Sequence, residues 1–60
     1  MTPYDKENAF LRAVGNAARE ANKLRDVANA GTKGRDLEDR VAAFALAAAQ
    51  VRNRFEELDD

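Results

Sequence analysis

The stretch NAGTKGRD, Asn29 to Asp36, decides how this chain folds. Gly31 suits the left-handed position that ends a helix. A short polar linker with a second glycine follows. Asp36 then offers a side-chain cap for a new helix, with Asp39 three residues later. The spacing predicts helix 1 over about 3–30, a loop over 31–35 and helix 2 over about 36–58. Upstream, MTPYD reads as a helix start. Thr2 can cap, Pro3 suits the first helical position, and Asp5 and Glu7 suit the positive end of the helix dipole. Downstream, EELDD puts four acids at the negative end of helix 2, whose last turn is therefore expected to fray.

Apolar residues on both sides of the break recur at alternating spacings of three and four, the helical signature. Helix 2 carries Leu37, Val41, Phe44, Ala48, Val51, Phe55 and Leu58. Helix 1 carries Phe10, Val14, Ala17, Ala21, Leu24 and Ala28. Folding the chain at the break matches Phe10 with Phe55, Val14 with Val51, Ala17 with Ala48, Ala21 with Phe44, Leu24 with Val41 and Ala28 with Leu37. The numbers in every pair add to 65, as an antiparallel hairpin requires. A competing reading breaks helix 1 at Gly15–Asn16 and gives three helices. The apolar phase argues against it, because Val14, Ala17, Ala21 and Leu24 keep one register through the glycine. A glycine inside a helix costs only about 1 kcal/mol relative to alanine.

Sixty residues make one small domain, residues 1–60. A chain this short buries only roughly 60% of its unfolded surface and normally needs a staple. It has no Cys and no His, so disulfides and thiolate or imidazole metal sites are excluded. Association with another chain is the staple left. The absence of Cys fits a reducing, cytoplasmic setting. The opening MTPYDKEN has no apolar signal-peptide core, and the longest apolar run is about half of a bilayer span, so no membrane role is expected.

That run, Val41 to Ala49, is apolar on all sides of a helix. The seam uses Val41, Phe44 and Ala48. It leaves an outer face of Ala42, Ala43, Leu46 and Ala49, continued by Gln50 and Asn53. Leu11, Ala18 and Val27 flank the seam on helix 1. Two helices cannot cover both faces of helix 2, and an exposed apolar patch commonly marks an interface. The outer face is therefore expected to serve another chain, either a second copy in a four-helix homodimer or a larger protein. The plainer alternative is a good helix-forming alanine run with one exposed leucine.

No catalytic constellation is present, and no cofactor is implied. The usual general base and the strong nucleophile are both missing. Asp36, Glu38 and Asp39 read as helix-start residues, and the acidic tail lacks a calcium loop. GTKGR lacks the spacing and the preceding strand of a phosphate loop. Net charge is −1, with ten basic and eleven acidic residues. The solvent side of helix 1 nevertheless carries Asn8, Arg12, Asn16, Arg19, Asn22, Lys23 and Asn29. Asparagine is a poor interior helix residue. This stripe, roughly 30 Å long at 1.5 Å per residue, reads either as a solvated face or as a surface for phosphates and base edges.

In its length, its opening Met1–Thr2 and its helical hairpin, the chain resembles the Rop family, plasmid RNA-binding regulators built as dimers of helical hairpins. The resemblance implies a four-helix dimer. That family's RNA-contacting residues find no match on this sequence. The expected role is a small non-catalytic regulator or inhibitor, of the kind phages and plasmids encode, that docks on a larger protein through an apolar helix face. The alternative is a Rop-like RNA-binding regulator using the stripe, and a third reading is a piece of a larger helical assembly.

Overall fold

Two helices, α1 (Pro3–Asn29) and α2 (Arg35–Glu57), pack against each other in the computed structural model, which describes residues 3–59. The chain is an all-α antiparallel hairpin, 44 Å long and 14 × 12 Å across. Its radius of gyration is 13.9 Å. A compact domain of this length would have about 10 Å. The hairpin is thus a rod with little interior.

Helix α1 runs through Gly15 and Asn16 without interruption, so the three-helix alternative is excluded. It ends where the sequence placed the stop. Gly31 has φ 83°. The Thr32 N–H donates to the Val27 carbonyl and the Gly31 N–H to the Ala28 carbonyl, each at 3.1 Å. This pair of bonds is the Schellman closure, which satisfies carbonyls that the last helical turn leaves open.

The start of α2 differs from the sequence expectation. Asp36 does not cap it. Gly34, at φ 73°, holds the cap position with no side-chain hydrogen bond, and the Glu38 N–H donates to the Gly34 carbonyl at 3.0 Å. A second left-handed glycine turns the chain sharply enough to start the helix one residue early. Asp36 then lies inside the first turn with Glu38, where both still oppose the helix dipole favourably. The proposed Thr2 cap lies outside the described residues. At the other end α2 persists to Glu57, and Arg54 grips Glu57 with two hydrogen bonds of 2.9 and 3.1 Å.

The hairpin register is the one the pairs adding to 65 require. The Phe10 and Phe55 rings meet with centroids 6.0 Å apart, tilted by 51°. Val14 with Val51, Ala17 with Ala48 and Ala21 with Phe44 line one common surface. The rotation of each helix is different from the expectation. Among the described residues Ala47 alone is buried, at 3% exposure, whereas Ala48, Val41 and Phe55 are exposed. On α1, Ala13, Glu20 and Val27 are half-buried, while Val14 and Ala28 are exposed. Two cylinders touch only along a narrow strip. Closing that strip over alanines brings the backbones near each other and leaves the bulkier side chains on one flank.

Gly15 and Gly31 predict opposite responses to the same substitution. A methyl group at Gly15 meets nothing within 4 Å. Gly15→Ala should raise stability by up to about 1 kcal/mol. Gly31→Ala meets no clash either, but its φ of 83° disfavours any side chain. It should lower stability by roughly 1–2 kcal/mol. Thermal melts followed by circular dichroism at 222 nm read both changes.

Candidate interaction surfaces

The rotation of the helices gives the hairpin two unlike flanks. One flank is closed by charge. Arg40 Nη1 on α2 lies 3.9 Å from Glu20 Oε2 on α1, and Lys23 Nζ lies 3.6 Å from Glu20 Oε1. The Glu20 side chain is only 18% exposed. The aliphatic stems of Arg40 and Glu20 cover the seam edge and their charged ends reach each other at the rim. No polar or charged residue is fully buried among the described residues.

The other flank is an open apolar groove of about 390 Å³. Ala17, Ala18, Ala21 and Ala48 form much of its lining, with the larger Val14, Phe44 and Val51. Leu11, Val41 and Phe55 are exposed and continue the same side along the two helices, Phe55 at 55%. Residues assigned to the seam from sequence thus form a surface. Leu11 and Ala18, which the sequence left as spare apolar residues, belong to it as well. Val27 turns the other way and is half-buried toward the charged flank.

The outer face of α2 is a separate surface. Leu46 is 66% exposed, and Ala42 and Ala49 are exposed on the same side. Ala43 departs from the expected set, because it is half-buried beside the seam. Gln50 and Asn53 lie farther along, in a polar depression shared with Arg54, Glu56 and Glu57. The apolar run Val41 to Ala49 therefore divides three ways. Ala43 and Ala47 face α1, Phe44 and Ala48 line the groove, and Leu46 with Ala42 and Ala49 faces outward.

On α1 the polar stripe is presented to solvent: Arg12, Asn16, Arg19, Asn22, Lys23 and Asn29 are exposed, and Asn8 is half-buried. Lys23 shares the charge of Glu20, while Arg12 and Arg19 take part in no ion pair among the described residues. No group of three metal-ligating side chains occurs among the described residues, and none of their helices is long and apolar enough to cross a membrane. No family model, curated protein or solved structure matches the chain, so the likeness to Rop rests on the hairpin architecture alone.

The Glu20 cluster has a measurable consequence. Its two ion pairs are long, and the Lys23 and Arg40 side chains are 51% and 38% exposed. Exposed pairs of this kind contribute below about 1 kcal/mol. Glu20→Gln should therefore lower the melting temperature by only a few degrees. The difference from the unsubstituted protein should shrink in 0.5 M salt, where screening acts within roughly 4 Å. A large, salt-independent loss would assign Glu20 a packing role instead.

Proposed function

We propose that this chain is a small non-catalytic interaction protein that works as a homodimer and docks on a larger protein as a regulator or inhibitor. The observation that carries the reading is the surface the hairpin leaves uncovered. Its accessible area is 4681 Å². A compact monomer of 6.6 kDa would expose roughly 3,900 Å² by the usual scaling with mass. The excess, about 800 Å², equals one partner's share of a standard protein interface. With no cysteine and no histidine to staple the fold, burial of that excess by a second chain is the available source of stability.

Two separate apolar surfaces support two separate tasks. The groove is the longer and supports pairing of two hairpins into a four-helix bundle. The Leu46 face lies on the opposite side of α2 from the groove, so it stays free in such a dimer and suits a foreign partner. Leu46 projects between Ala42, Ala49 and Asn53, where small neighbours let a partner helix come close.

A second reading rests on the free guanidinium groups of Arg12 and Arg19. With Asn8, Asn16 and Asn22 they make a polar stripe that suits RNA phosphates and base edges. Salt separates the two readings, since phosphate-driven binding weakens steeply with ionic strength and packed apolar docking does not.

Leu46→Glu should remove capture of the larger protein from source-cell extract while sedimentation still shows two chains and helicity is unchanged. Extract treated with nuclease should give the same capture. If instead Arg12→Ala with Arg19→Ala abolishes retention of RNA at low salt and Leu46→Glu does not alter it, the RNA reading replaces the docking one.

A further inference from the structure

We infer that the groove is closed by a second copy of this chain, related by a two-fold axis that crosses the hairpin at the level of Asn16, and that Glu7 and Arg25 pair across it. The inference deepens the dimer reading above and rests on it. Glu7 and Arg25 are 18 residues apart on α1. At 3.6 residues per turn that is five whole turns, so both side chains leave the helix in the same direction, roughly 27 Å apart. That direction is the groove side, shared with Val14 and Ala18. Both residues are exposed, and neither takes part in an ion pair among the described residues.

The groove-side stripe of α1 reads the same from either end. Its positions 7, 11, 14, 18, 21 and 25 are symmetric about Asn16. Laid antiparallel on a second α1, Glu7 meets Arg25, Leu11 meets Ala21 and Val14 meets Ala18 of the other copy. Acid meets base, and in each apolar pair a large side chain meets an alanine. A two-fold contact needs this self-complementarity, because one patch must fit itself.

Helix α2 supplies an independent check. Its groove-side positions 44, 48, 51 and 55 are symmetric about the level between Ala49 and Gln50. The same operation pairs Phe44 with Phe55 and Ala48 with Val51 of the second copy. One rotation must serve both helices. The hairpin register sets Asn16 opposite Ala49, since paired numbers add to 65. The two centres of symmetry therefore coincide within half a residue, less than about 1 Å along the axis. A two-fold parallel to the bundle would instead lay α1 on α2 of the other copy, where neither stripe's symmetry is used and Glu7 has no basic partner at Leu58.

Charge reversal tests the register, since it changes only exposed residues. Glu7→Arg alone and Arg25→Glu alone each place like charges together twice per dimer. Each should raise the dimer dissociation constant about tenfold at low salt, with helicity at saturating concentration unchanged. Two combinations should restore affinity: the doubly reversed chain, and an equimolar mixture of the two single variants. In that mixture one chain is basic at both positions and the other is acidic at both. Every cross-chain pair of a mixed dimer is then opposite in charge, so native mass spectrometry should find mostly mixed dimers. Statistical mixing, or reversals without effect in a protein that still sediments as a dimer, overturns the proposed face while leaving the dimer. An unsubstituted protein that stays monomeric overturns both.

Discussion

The close approach of the two helices over alanine governs this molecule. Ala47 is the one buried residue among those described, and Ala13, Ala17 and Ala43 sit half-buried around it. Small side chains at a contact let helix axes come to the near end of their usual 8–10 Å separation. What the contact gains in closeness it lacks in apolar area. Phe10, Leu24, Leu37, Phe44 and Val51 are also only half-buried, and Leu11, Val14, Val41 and Phe55 are exposed, so the contact buries little apolar area.

The register and the rotation of the helices were not equally legible in the sequence. Register follows from the turn and from large residues. Gly31 fixes where α1 stops, and the pairing of Phe10 with Phe55 fixes how α2 returns. Rotation is harder, because a stripe through 37, 41, 44, 48 and one through 37, 40, 44, 47 have the same spacing pattern. Hydrophobicity favours the first, since it takes Val41 where the second takes Arg40. The structure follows the second. Arginine and glutamate have long methylene stems, and Glu20 and Arg40 lay those stems along the seam while their charges remain near water. Ranking residues by polarity alone hides this use. The α2 cap departs from expectation for another reason: Asp36 is a good capping residue, but the two glycines of the linker set the backbone path, and the helix starts before the aspartate.

The surfaces left over bear on folding as well as on recognition. A rod 44 Å long and barely two helices thick has no position far from solvent. Any chain that bound the folded hairpin alone would shift the equilibrium toward it. Helices of 27 and 23 residues exceed the length at which isolated helices are merely marginal in water. Local helical structure can therefore persist even where the contact between the helices is small.

The charged flank gives this arrangement its direction. A hairpin with apolar residues on both sides of its seam could turn either side outward. The two sides differ in the structure, with Glu20 and Arg40 on one and alanines with phenylalanine on the other. Turning the helices to the stripe through Val41, Phe44 and Ala48 would move Arg40 and Glu20 apart and farther into water, at the loss of a pair that contributes below about 1 kcal/mol. The ion pair contributes little as an attraction. The rotation adopted leaves Val14, Phe44 and Val51 along the open groove, on the side where a second chain can reach them.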